Sequence, residues 1–191
     1  MKRLILVAIV AISSLTSCST YNNMVTLDET VRNAWSNVET QYQRRADLIP
    51  NLVSTVKGYA SHEESTLQSV IDARSKATSV NISLDELTPE KIAEFQQAQS
   101  AVTSALGRLI AVSENYPDLK ANQNFLELQS QLEGTENRIT VARRDFNGAA
   151  KEYNTAIRKF PKNILAGMFG FEKKAYFEAQ EGAEKAPEVQ F

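Results

Sequence analysis

Between residues 22 and 77 the large apolar side chains recur in alternating steps of three and four: Val31, Trp35, Val38, Tyr42, Ile49, Leu52, Val56, Tyr59, Leu67 and Val70. That spacing draws one stripe on a helix and does not fit strand alternation. Unbroken, about 55 residues would reach about 80 Å at 1.5 Å per residue. Pro50 interrupts the run. It removes the bond to the Ala46 carbonyl and crowds it, which predicts a kink or a split near residues 46–50. Residues 80–87 lose the period, and Thr88-Pro89-Glu90-Lys91 then supplies an N-cap, a proline at the first helical position and an early acid. The second helix carries the seam Ile92, Phe95, Gln99, Val102, Leu106, Leu109 and Val112, and Asn115-Tyr116-Pro117 ends it. The third helix starts between residues 118 and 124 and stops before Pro161. Its heptad is Phe125, Gln129, Leu132, Glu136, Ile139, Arg143, Phe146, Ala150, Tyr153 and Ile157.

Amphipathic helices joined by short connectors pack as antiparallel neighbours. The predicted fold is therefore all-α: an extended up-and-down bundle of three long helices, four if the first splits at Pro50, with a short C-terminal helical tail. Glu136 and Arg143 lie on the third helix's stripe, and extending the first helix's stripe adds Arg45 and Glu63. Charge on a seam is costly unless paired. Either these side chains snorkel out along the seam edge, the default for long charged residues, or they form a polar layer inside the bundle. Six of the 15 aromatic residues fall in the last 32 positions: Phe160, Phe169, Phe171, Tyr176, Phe177 and Phe191. A segment so short has no core of its own, so it is expected to cap the bundle; contact with a partner or a membrane is the lesser reading.

The N-terminus reads as an address. Lys2 and Arg3 precede an apolar run over residues 4–12, followed by Ser13-Ser14-Leu15-Thr16-Ser17-Cys18, the layout of a signal peptide. The apolar run is about half of the ~20 residues a spanning helix needs. Leu15-Thr16-Ser17-Cys18 resembles a bacterial lipobox, in which the Cys becomes the acylated N-terminus. The division expected is a removed signal peptide at 1–17, a lipidated anchor at 18–21, and one bundle domain at 22–191. Two or more acyl chains on Cys18 would hold the protein stably where one holds it only marginally. Ser19 and the Thr20-Tyr21-Asn22-Asn23 that follows carry no acid, which by resemblance to sorted lipoproteins favours the outer membrane facing the periplasm.

Composition narrows the chemistry further. The 191 residues are 42% hydrophobic and 23% charged, enough for one ordinary core. Losing residues 1–17 leaves 19 basic residues against 23 acidic ones, a net charge of −4, unsuited to nucleic acid. One Cys and one His cannot furnish a disulfide framework or a Cys-rich zinc site. His62-Glu63-Glu64 opens like a zinc-protease motif but lacks the second His, and no phosphate loop or serine elbow is present.

The residues also carry a family resemblance. Tyr21-Asn22, Glu29-Thr30-Val31-Arg32-Asn33-Ala34-Trp35-Ser36-Asn37-Val38-Glu39 and Arg44-Arg45-Ala46-Asp47-Leu48-Ile49-Pro50-Asn51-Leu52-Val53 resemble the N-terminal helix of LemA family proteins. Glu114-Asn115-Tyr116-Pro117-Asp118-Leu119-Lys120-Ala121-Asn122, Glu136-Asn137-Arg138-Ile139, Ala142-Arg143-Arg144-Asp145-Phe146-Asn147, Tyr153-Asn154 and Phe160-Pro161 continue the family's order. The resemblance implies an extended helical bundle at a bacterial membrane, without an established catalytic activity and without active-site residues to carry over. It also implies membrane proteases and envelope proteins as partners. Two departures stand out: many relatives have a true transmembrane helix where this chain looks lipidated, and Asp145-Phe146-Asn147 stands where Tyr-Asn is more usual.

The expectation is a non-enzymatic, membrane-anchored scaffold or adaptor for other envelope proteins, needing no cofactor beyond the covalent lipid on Cys18. The alternative is a regulator or cofactor of an envelope protease. Self-association is compatible with either. The candidate interaction or polar-layer residues are Arg44, Arg45, Glu136, Arg143, Arg144 and Phe191. Phe191 ends Glu188-Val189-Gln190-Phe191, a form that some PDZ domains accept by strand addition, against the commoner reading of a loose chain end.

Overall fold

The computed structural model describes residues 2–80, 82–83 and 87–178, with side chains from Ser19 onward. Cys18 and Phe191, the expected lipidation site and PDZ ligand, fall outside the described side chains. Within those limits the chain is all-helical: α1 (Lys2–Lys57), α2 (Glu64–Ser79), α3 (Pro89–Ser113), α4 (Pro117–Lys120), α5 (Gln123–Arg158) and α6 (Lys162–Phe169). Among the described residues no helix is long and apolar enough to cross a membrane.

The first helix does not split at Pro50. It runs on to Lys57, and the chain reverses over residues 58–63 instead. Pro50 leaves the Ala46 carbonyl without its helical N–H, and Arg74 of α2 fills the gap, its Nε donating to Ala46 O at 2.7 Å. The reversal is closed by the amides of Tyr59 and Ala60, which both return to the Val56 carbonyl, at 3.0 and 2.8 Å. Tyr59 consequently leaves the seam where its spacing had put it. It is exposed, with its hydroxyl accepting from Asn122 Nδ2 at 2.8 Å.

The later helices begin where their caps predict. Thr88 Oγ1 accepts from the Lys91 amide at 3.3 Å and Asn122 Oδ1 from the Phe125 amide at 3.0 Å. These bonds satisfy donors that the first helical turn leaves orphaned. Contacts fix the directions. Trp35 meets Phe95 and Glu63 meets Tyr116, so α3 runs parallel to α1. Asn122 meets Tyr59 and Lys162 meets Asn23, so α5 runs back antiparallel to it. With α2 descending between, the bundle is up, down, up, down.

Its interior is two apolar clusters. One gathers Val31, Trp35, Val38 and Tyr42 of α1 with Ile92, Phe95, Ile139, Phe146 and Tyr153. The other gathers Ile49, Leu52 and Val56 with Leu67 and Val70 of α2, Val102, Leu106 and Leu109 of α3, and Phe125 and Leu132 of α5. Each large side chain so buried stabilises the fold by roughly 1.5–3 kcal/mol.

Residues 171–178 form a non-helical strap along α5, packed on Asp28 and Trp35 of α1 and meeting α3 at Gln96. Asn147 holds it with both ends of its amide, accepting from Phe177 N and donating to Phe177 O at 2.9 Å each. Asn154 does the same to Lys174, at 2.9 and 2.8 Å. The two spacings match: seven helical residues rise about 10.5 Å, and three extended residues span about 10 Å. Phe177 is thereby stacked on Trp35, with centroids 5.8 Å apart. The expected capping role of the tail thus divides, with Phe177 buried and Phe160 and Phe169 left in solvent.

Candidate functional site

Arg45 lies between the two apolar clusters, one turn past Tyr42 and one before Ile49. It is 2% exposed, so it does not snorkel. Its Nη1 reaches Glu136 Oε1 on α5 at 2.5 Å and Thr103 Oγ1 on α3 at 2.9 Å. Its Nη2 reaches Gln99 Oε1 at 2.5 Å and Gln99 O at 3.1 Å. The guanidinium also stands 5.1 Å from the Tyr42 ring centroid. One cation thus gathers acceptors from two other helices, α3 and α5, the requirement for a buried charge. Burial pushes the Tyr42 hydroxyl up, while Arg143 and Arg45 pull it part of the way back.

A cavity of about 130 Å³ adjoins this layer, with Glu39, Tyr42, Arg45, Arg74, Phe95 and Gln99 among its walls. That is below the roughly 300–1,000 Å³ of small-molecule sites and suits a few waters. Burial pushes the Glu39 carboxyl up, and the Trp35 indole one turn before it pulls back in part.

A second polar cluster fixes the strap. Asp28 takes Lys174 Nζ at 3.0 Å and Arg32 Nε at 2.8 Å, and Lys174 stands 5.6 Å from the Tyr153 ring centroid. Burial pushes the Asp28 carboxyl up, but the hydrogen bonds from Arg32 and Lys174 outweigh it and hold the group below its ordinary range. Burial, helped by the Asp28 charge, pushes the Tyr153 hydroxyl up to about 12.

Of the residues singled out from sequence, Arg45 and Glu136 are brought together across 91 positions. Arg143 reaches the strap, with its Nη2 3.1 Å from Glu178 O and its guanidinium 4.8 Å from the Phe177 ring centroid. Arg144 is exposed and leans on its neighbour Asp145 at 3.4 Å. Arg44 is exposed on the outer face of α1. Glu63 leaves the seam for the reversal, where Oε1 accepts from the Tyr116 hydroxyl at 3.0 Å. His62 is exposed. Among the described residues, no group of three or more His, Cys, Asp and Glu side chains is placed to hold a metal ion.

Sequence reasoning missed Arg74, Asn147 and Asn154 as structural ligands. Asn147 and Asn154 are two turns apart on one face, which was visible. What they bind, backbone some 20 to 30 residues onward, leaves no trace in side-chain periodicity.

Comparison with known proteins agrees with this architecture in extent. The LemA family model matches residues 34–191. Magnetosome protein MamQ 2 of Paramagnetospirillum magneticum is 32% identical over 175 residues, covering 83% of this chain and 64% of the relative. Magnetosome protein MamQ of Magnetospirillum gryphiswaldense is 30% identical over 174 residues, covering 82% and 64%. Protein LemA of Metamycoplasma hominis is 28% identical over 160 residues, covering 84% and 69%. The match therefore spans less than two thirds of the MamQ proteins' own length. Matched over its whole helical body from Ala34 onward, the chain is a member of the LemA family.

Proposed function

We propose that this LemA-family protein is a lipid-anchored scaffold or adaptor of the bacterial cell envelope, held at Cys18 on the outer membrane and facing the periplasm, without catalytic activity of its own. The observation that carries the reading is how the bundle uses its inner charges. Arg45 and Arg74 donate to atoms of neighbouring helices, and Asp28 accepts from Lys174 of the strap, which is the work of a rigid support. Catalytic groups are ordinarily poised toward a cleft of substrate size with perturbed acidities. The anchor rests on Leu15-Thr16-Ser17-Cys18 and on the arithmetic of multiple acyl chains. The surface that meets partners includes the exposed side chains of Arg44 on α1 and Arg144 on α5.

The test is crosslinking in intact envelopes, with Cys18→Ala as the mislocalised control. A defined envelope protein captured with the wild type and lost with the control is the expected result. Self-adducts alone would overturn the adaptor reading in favour of a self-associating structural element. If the captured protein is a protease whose substrate turnover changes on adding this chain, the regulator reading replaces the scaffold.

A further inference from the structure

We propose that α6 and the residue pair leading into it form a second membrane contact, an interfacial helix lying on the same bilayer as the acyl anchor. The proposal rests on the anchor at Cys18 proposed above and adds a surface to it.

The helix is apolar on both sides. Ala166 is buried and Leu165 packs against the inner cluster, so the inward face is accounted for. Away from the bundle α6 presents Ile164 and Met168, one turn apart and 55% and 73% exposed; Phe160, 81% exposed, stands just before the helix at Pro161, and Phe169, 56% exposed, keeps one side against Tyr21. Scattered apolar residues on a surface need no account, but four large exposed ones within ten residues do.

Charge says what covers them. From Arg158 to Phe171 the sequence holds Arg158, Lys159 and Lys162 and no acid, in a mature chain that is net acidic. Apolar tips flanked by three bases, with the first acid, Glu172, two residues past the helix-ending Gly170, are the composition of a helix that lies in an anionic interface.

Position points to the same occupant. The Tyr21 ring meets Phe169 at 4.9 Å and Phe171 at 5.7 Å between centroids, and Lys162 Nζ donates to Asn23 Oδ1 at 2.9 Å. Tyr21 follows Cys18 by three residues of continuous helix, about 4.5 Å of rise. A lipidated Cys18 sits at headgroup level, so α6 is held there with it. Two contacts fix the bundle's rotation about its anchor, which acyl chains alone leave free. The far end of α1 at Lys57 would then stand roughly 54 Å along the helix from Tyr21.

The experiment uses the full lipidated protein reconstituted in vesicles of phosphatidylcholine and phosphatidylglycerol, with and without dibrominated acyl chains. Ile164→Trp and Met168→Trp are compared with Ser61→Trp at the opposite end; the native Trp35 is fully buried and gives a constant background. At 164 and 168 we expect emission shifted to shorter wavelength, loss of most of the added fluorescence to bromolipid, and shielding from acrylamide. At 61 we expect none of these. Vesicle-bound protein whose 164 and 168 positions remain open to acrylamide would overturn the proposal and leave the anchor standing. Shielding from acrylamide without bromolipid quenching would also overturn it, by showing that protein, such as a second copy, covers the face. Protein that does not stay with the vesicles would overturn the anchor and this contact together.

Discussion

Arg74 Nε and the Ala46 carbonyl oxygen lie 2.7 Å apart, and that contact is what lets α1 pass through Pro50. A proline inside a helix costs about 3 kcal/mol, in part through the acceptor it strands. Here the stranded acceptor receives a charged donor from the next helix, and the position that threatened the helix becomes a link between α1 and α2.

Arg74→Ala should therefore lower unfolding stability by about 1–3 kcal/mol, the cost of an unsatisfied acceptor. In a Pro50→Ala background the helical N–H returns, and most of that loss should vanish. Urea unfolding of the four proteins in this cycle measures the coupling. Additive single effects would mean the carbonyl is satisfied in some other way.

Arg45→Ala should cost about 2–5 kcal/mol, because it empties buried volume and leaves the Gln99 oxygens without their donor between two apolar clusters. Gln99 is buried while Glu136 is partly exposed, so Gln99 bears most of the penalty. Arg45→Met combined with Gln99→Leu should recover much of the stability by replacing the layer with apolar volume. Thermal unfolding would report both, and equal loss in the single and double variants would contradict the assignment.

Asn147→Ala should loosen the strap without unfolding the bundle, since it removes the two hydrogen bonds to Phe177. Phe177 covers Trp35, so the readout is acrylamide quenching of the Trp35 emission, expected to rise. Asn147→Asp keeps the acceptor for the Phe177 amide but loses the donor to its carbonyl, and should give an intermediate value.

Acid should act on the same strap through Asp28. Its carboxyl is held below the ordinary 3.8, so its stabilising contribution is complete above that pH and fades as pH falls through the folded value. Trp35 quenching should rise below about pH 4, and Asp28→Asn should show the raised quenching already at neutral pH. Glu39 has the opposite sign. Its carboxyl is raised above 4.5, so its ionisation opposes folding at neutral pH, and Glu39→Gln should stabilise the protein there.

The two later seams were legible in the chain nearly residue by residue. Ile92, Phe95, Gln99, Val102, Leu106 and Leu109 are buried on α3, as are Phe125, Leu132, Ile139, Phe146, Tyr153 and Ile157 on α5. Local periodicity encodes which face of a helix turns inward, and Thr88-Pro89 marked the start of α3 to the residue. The candidate site was half legible. That Arg45 and Glu136 fall on seams could be counted out along the sequence, but not that they meet.

Sequence by itself determined the two later long helices, the inward faces, the caps, and the charges that would need an answer, because each depends on residues within a turn or two of one another. Tertiary structure decided the answers. Pro50 is tolerated because Arg74 arrives from another helix, the reversal after residue 57 is held by Asn122 on Tyr59 and Tyr116 on Glu63, and the strap seats because Asn147 and Asn154 meet backbone far along the chain. A hydrogen bond between residues 20 to 91 positions apart has no local signature, and only the packed bundle supplies its second partner.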